Sequence, residues 1–255
     1  MVAEPGIRRP ATTSGLSPRR VRLAGLTIAM LLGIVLVFVA RRLEDDVPHL
    51  VAGTLPAEDD FALRYIQHPV LAYLHIALGV VYLLGAPLQL SYRFRSRHYA
   101  VHRRLGRVLL SAGFVSGIFA LAFGLPLAFG GVWEAIATVV FGSWFMACLV
   151  TAFVSIRRGD AVRHRRWMIR AFAVCVGIGT VRIWIGVFAL AGLDLTDAFA
   201  AGFWVGFALH VAAGELWVRT TPHPEHAMRS SPERAGPDTM GSPAAILDRP
   251  PEGGS

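Results

Sequence analysis

Six long apolar stretches constrain what this 255-residue chain can fold into. A helix of 20 residues rises about 30 Å, which is the thickness of the hydrocarbon core of a bilayer. The hydrophobic fraction of 54% is also high for a soluble protein of this size. The stretches are residues 21–40, 69–92, 108–129, 133–156, 167–191 and 199–218. We therefore predict an all-α, polytopic transmembrane helical bundle of six spans.

The two ends of the chain differ in composition from the apolar region. Residues 1–20 and 219–255 are polar, are rich in Pro, Ser and Gly, and show no hydrophobic period, so we predict two disordered tails. Residues 21–218 then form the six-span domain. The first stretch is longer than the apolar core of a signal peptide and ends in a poor cleavage site, Phe38-Val39-Ala40, which favours a retained anchor.

Charges in the connections predict the orientation of the spans. All 25 basic residues are arginines, and six lie in each of the segments 93–107 and 157–170. The opposite connections carry the acidic residues Glu44, Asp45, Asp46, Glu58, Asp59, Asp60, Asp194 and Asp197. Because arginine-rich loops remain in the cytoplasm, we expect a multi-pass protein of the bacterial inner membrane with both termini cytoplasmic. Arginines confined to short loops beside apolar stretches argue against nucleic-acid binding, despite a net charge of +8.

Two similar motifs indicate a repeated helical hairpin. "HRRLGR" at 102–107 and "HRRWMIR" at 164–170 each follow an arginine-rich loop and each open an apolar stretch. The likeness predicts two related hairpins that together build a four-helix core from spans two to five. The first and last spans would border this core.

Two polar residues are predicted to lie at the same depth in the membrane. Counted at 1.5 Å per residue, His75 lies about 9 Å below the outer edge of span two, and Arg182 lies about 22 Å above the inner start of span five. His75 is either a ligand-binding residue or an interhelical hydrogen-bonding residue. Arg182 needs an anion, which is either Glu134, Asp194 or the carboxylate of a bound ligand.

Histidines and arginines are the residues from which a membrane haem site is built. Neutral imidazoles supply axial ligands to the iron, and guanidinium groups offset the charge of the propionates. We expect His75, His102 and His164 as candidate ligands of haem b, with Arg107, Arg170 and Arg182 as counter-charges. The protein would then transfer electrons, with a redox partner protein or a quinone. Two alternatives remain open, a carrier of small molecules or lipids and a non-catalytic membrane scaffold.

Several motifs, taken together, resemble one protein family. They are His75, Gly79, Gly85 and Gln89 on one helix, "HRRLGR" at 102–107, Arg158-Gly159-Asp160, "HRRWMIR" at 164–170, and Arg182. Residues from about 68 to 218 thereby resemble the bacterial predicted membrane proteins known as domain of unknown function 2306. The resemblance implies the same layout of spans and implies no activity. It also makes His210 a poor ligand, because the family carries Asn at that place.

Overall fold

The computed structural model describes residues 18–56 and 59–221, and these residues form eight helices. The helices are α1 (Pro18–Ala52), α2 (Asp60–Gln67), α3 (Pro69–Leu90), α4 (Tyr92–Arg97), α5 (Tyr99–Gly124), α6 (Gly131–Arg157), α7 (Ala161–Leu190) and α8 (Leu195–Thr220). Six of them are long and apolar enough to cross a membrane, which confirms the predicted all-α six-span bundle. The predicted tails lie outside the described residues, except where α1 and α8 extend into them.

The first connection is more helical than its polar composition suggests. The segment 41–52 was predicted to be a loop, yet it continues α1 for three more turns. Arg42 and Asp46, one turn apart, form a buried ion pair on the inner face of this extension. The short helix α2 follows, and its first turn is capped by Asp59, whose carboxylate accepts hydrogen bonds from the amides of Phe61 and Ala62. Glu58 of the predicted acidic loop lies outside the described residues.

Antiparallel hairpins build the bundle. α3 packs along α5, and α6 packs along α7, as the repeated motifs predict. α1 has the smallest buried share of the six spans and lies at the periphery. α8, which was expected to border the core, packs closely along α7 and also contacts α6. We call the end where α5 and α7 begin the arginine-rich end, and the end where α3, α6 and α8 begin the acidic end.

Glycines on α8 explain its close packing against α7. A Cβ added at Gly206 would lie 2.6 Å from a side-chain atom of Val181 and 2.8 Å from its backbone, so only glycine fits there. We expect Gly206→Ala to destabilise the protein by about 1–3 kcal/mol, the usual cost of overpacking. The matched control is Gly186→Ala on α7, where nothing lies within 4 Å, and it should be neutral or slightly stabilising. Thermal unfolding in detergent measures both, and equal stabilities would contradict this packing.

Candidate functional site

A cavity of about 270 Å³ lies inside the half of the bundle nearer the acidic end. Helices α1, α2, α3, α5, α6, α7 and α8 all contribute to its wall, which is mainly apolar. Its principal polar residues are Arg42, Arg64, Tyr65, His75, Glu134 and Arg182. Mostly apolar cavities with a few convergent polar groups are typical of small-molecule binding sites.

Arg182 lies on α7 and lines this cavity at membrane depth. Its guanidinium carbon is 3.9 Å from the centroid of the Phe38 ring and 5.9 Å from that of Phe199. In the part of the chain that the structure describes, neither Glu134 nor Asp194 forms an ion pair with it. Glu134 does lie within electrostatic range. Aromatic faces therefore surround this charge without neutralising it.

Arg64 supplies a second guanidinium to the cavity, from α2. Its carbon lies 4.9 Å from the centroid of the Phe129 ring. Its Nη1 atom is buried and has no hydrogen-bond partner among the described residues. The nearby carboxylate of Glu134 instead accepts a hydrogen bond from the amide of Gly130, at the start of α6. Arg64 therefore has donor capacity that the protein leaves unused.

Arg42 is the third guanidinium and differs from the other two because it is paired. It forms a buried ion pair with Asp46, and the phenol of Tyr73 donates a hydrogen bond to the other oxygen of that carboxylate at 2.5 Å. The side chains of Arg42 and Asp46 are 6% and 0% exposed. This network joins α1 to α3 and holds Arg42 at the cavity wall.

The charges at the cavity do not balance. Three arginines face two carboxylates, Glu134 and the Asp46 that pairs with Arg42, which leaves one excess positive charge. Tyr65, on the short helix α2, adds a phenol. Burial raises the pKa of that phenol, so it stays protonated at neutral pH and can donate a hydrogen bond. The polar side of the cavity is therefore suited to a single negative charge.

His75 lies on α3 and lines the same cavity, at the predicted depth of Arg182. Its Nδ1 donates a hydrogen bond to the carbonyl oxygen of Ser116 on α5 at 3.1 Å. The hydroxyl of Ser116 donates in turn to the carbonyl oxygen of His75 at 2.8 Å. The interhelical hydrogen bond that the sequence allowed is therefore present, and it leaves the other ring nitrogen free for a ligand.

His102 and His164 lie at the arginine-rich end, away from the cavity. The two imidazoles are within electrostatic range of each other and of Arg95. Nδ1 of His164 donates to the carbonyl oxygen of Ala152 at 2.9 Å, whereas Nδ1 of His102 is buried and has no partner among the described residues. The structure therefore divides the three candidate histidines between two places.

The predicted counter-charges are also divided. Arg182 lies at the cavity, whereas Arg170 forms an ion pair with Glu215 of α8 at 2.8 Å. The Glu215 carboxylate therefore offsets the charge of Arg170, and it pairs with Arg219 as well. Arg107 is exposed at the arginine-rich end. Of these arginines, only Arg182 faces the cavity.

The remaining membrane histidine has a structural role. Nε2 of His210 lies 2.6 Å from the hydroxyl of Thr180, and this hydrogen bond joins α8 to α7.

Gln89 lies over Gly106 of α5, as an interface residue should, although its Nε2 has no partner among the described residues. Within the described residues, no group of three or more His, Cys, Asp or Glu side chains could hold a metal ion.

Sequence reasoning missed the residues that the first connection contributes to the cavity. Arg42, Arg64 and Tyr65 lie in the segment 41–67, which was taken for a loop outside the membrane. One signal could have identified the two arginines. Arg42 and Arg64 stand on the side where the positive-inside rule disfavours arginine, and such an exception indicates a buried or functional role, although the neighbouring Arg41 is exposed. Tyr65 carries no such signal.

The chain matches a protein-family model over the region that includes part of the cavity wall. The model described as "Predicted membrane protein (DUF2306)" matches residues 72–218, which is more than half of the chain. No curated protein and no solved structure matches the chain. The matched region includes His75, Glu134 and Arg182, whereas Arg42, Arg64 and Tyr65 precede it.

Proposed function

The chain belongs to this family of predicted membrane proteins, and we propose that its cavity binds an amphipathic molecule with an apolar body and an anionic head. This is the function of a carrier or a lipid-handling protein. The observation that carries the proposal is Arg182, a guanidinium at membrane depth that faces a mainly apolar cavity without an ion-pair partner among the described residues.

The physical reason is the cost of an uncompensated charge in the membrane. Ionisable groups inside a bilayer pair with a counter-charge or serve a ligand, because an isolated charge there is expensive. A carboxylate matches the fork of a guanidinium and accepts two parallel hydrogen bonds from it. A single carboxylate head would neutralise the excess charge of the cavity, with Arg64 and Tyr65 as further donors.

The apolar wall defines the rest of the ligand. The cavity is partly open, so a ligand chain longer than the cavity would extend out of its open side. By the positive-inside rule, the arginine-rich end faces the cytoplasm of a bacterium together with both termini. The cavity would then lie in the outer half of the inner membrane, and the ligand head would reach it from that side.

Binding of radiolabelled dodecanoate to the purified protein in detergent tests the proposal. We expect saturable binding that approaches one molecule per chain, with empty micelles as the blank. Uptake that rises linearly with concentration and equals that of the blank would overturn the proposal.

A second candidate function rests on the pair His102 and His164. His164 keeps Nε2 available because its Nδ1 binds a carbonyl oxygen, as is usual for a ligating histidine. In the part of the chain that the structure describes, α5 and α7 do not pack directly along each other. We propose this pair as the alternative ligand site for haem b, which would supply electron transfer with a redox partner or a quinone. Among the described residues, His75 is the single histidine at the cavity, and it would take no part.

The haem alternative has a direct spectroscopic test. His102→Ala and His164→Ala should each abolish the absorbance of dithionite-reduced haem, because a bis-histidine site loses an axial ligand in either variant. His98→Ala is the control, because His98 is exposed at the same end of the bundle and should leave the spectrum unchanged. A wild-type protein without a haem band, or full absorbance in both variants, would exclude this function.

A further inference from the structure

We infer that His75 makes the cavity selective for a ligand that carries a hydroxyl group close to its anionic head. The expected substrate class is a hydroxy acid with an apolar chain. This inference rests on the proposed function and specifies its ligand.

Hydrogen bonding to Ser116 fixes the tautomer of His75. Nδ1 lies 3.1 Å from both the carbonyl oxygen and the hydroxyl oxygen of Ser116. Because the carbonyl can only accept and the hydroxyl donates to the His75 carbonyl, these contacts assign the imidazole proton to Nδ1. The Ser116 hydroxyl donates to the His75 carbonyl and therefore holds the two helices in this register. Gly79 permits this approach, since a Cβ there would lie 3.1 Å from the serine oxygen. Nε2 is consequently left with a lone pair.

That lone pair belongs to a residue that lines the cavity. His75 lines the cavity, and its Nδ1 edge is turned to α5. Nε2 has no hydrogen-bond partner among the described residues, and it is not a fully buried atom. The accessible edge of the ring therefore presents an acceptor to whatever occupies the cavity.

The acceptor complements the two arginines of the cavity. Arg64 and Arg182 can only donate, whereas the phenol of Tyr65 both donates and accepts. One oxygen of the Glu134 carboxylate already accepts from the amide of Gly130. A ligand with a carboxylate alone would satisfy the arginines and leave Nε2 of His75 without a partner.

The position of the hydroxyl follows from the position of Arg182. His75 and Arg182 both line the cavity, so a carboxylate at Arg182 places the neighbouring part of the ligand in the space that the imidazole also lines. The test therefore places the hydroxyl on the second or the third carbon. Sites built to bind a substrate hydroxyl discriminate against the analogue that lacks one, because a buried polar group is then left unpaired.

The experiment compares dodecanoate with its 2-hydroxy and 3-hydroxy derivatives. We expect the wild-type protein to bind one hydroxylated probe roughly tenfold more tightly than dodecanoate, as a net hydrogen bond implies. In His75→Phe, which keeps a ring and removes the acceptor, the ratio of the two affinities should fall to about one. His75→Gln returns an acceptor oxygen and should restore part of the preference.

The control is His98→Phe, at the opposite end of the bundle, which should keep the full preference. Equal affinities of the wild-type protein for all three probes would overturn the inference and leave the proposed function standing. A preference that persists in His75→Phe would also overturn it. Failure of every probe to bind would overturn the inference and the proposed function together.

Discussion

Replacing Arg182 with leucine is expected to weaken the binding of dodecanoate by at least about 30-fold. Removing one member of a buried, hydrogen-bonded charge pair costs about 2–5 kcal/mol, because the remaining charge is left without a partner. Here the carboxylate of the ligand would be left facing an apolar wall and the Phe38 ring. Titration with radiolabelled dodecanoate measures the change in the dissociation constant.

The same variant should unfold at a higher temperature than the wild-type protein when no ligand is present. An unpaired guanidinium at membrane depth is destabilising, and the shorter apolar side chain of leucine removes that charge. Arg41→Leu is the matched control, because Arg41 is exposed near the same end and, among the described residues, pairs only with Glu44. Undiminished binding in Arg182→Leu would refute the assigned role of this residue, and so would equal losses of binding in both variants.

Replacing Asp46 with alanine is expected to cost about 3–5 kcal/mol of stability, the largest effect on folding that we predict. The change leaves the buried guanidinium of Arg42 without its carboxylate and removes the acceptor of the Tyr73 phenol. Since this network joins α1 to α3, the extension of α1 should detach from the bundle. Thermal unfolding in detergent, together with proteolysis of the segment 41–56, measures the loss.

A second pair on the same helix provides the control for Asp46. Glu44 pairs with Arg41, but these side chains are 68% and 73% exposed, so Glu44→Ala should cost at most about 1 kcal/mol. The double variant Arg42→Leu/Asp46→Leu should recover much of the lost stability, because replacing a buried ion pair with apolar side chains is often neutral. Equal losses for Asp46→Ala and Glu44→Ala would show that the Arg42–Asp46 pair is not buried in the folded protein.

The sequence was sufficient to predict the features that depend on helix geometry. A fixed rise per residue relates the length of an apolar stretch to the membrane thickness, so the six spans could be counted. The same rise placed His75 and Arg182 at one depth on different spans, and both line the cavity. The repeated motifs likewise predicted the hairpins α3–α5 and α6–α7.

The features that depend on tertiary packing could not be predicted in the same way. Hydropathy assigned the charged segment 41–67 to a loop, because only the folded bundle shows that Arg42 and Asp46 neutralise each other. Arg64 and Tyr65 were lost with that segment. For the same reason, the sequence could not show that Arg170 is offset by Glu215 and that His102 lies far along the bundle from His75.

Photo-crosslinking with a diazirine-bearing dodecanoate tests the central claim most directly, since it reports both where the ligand lies and which part of it is recognised. We expect labelled peptides from the cavity wall, around Phe38 of α1 and Tyr65 of α2, and we expect unlabelled dodecanoate to compete for them. Methyl dodecanoate has the same chain without the charge, and it should compete poorly. Labelling confined to the outer faces of the helices, or equal competition by the acid and the ester, would contradict an anion site at Arg182.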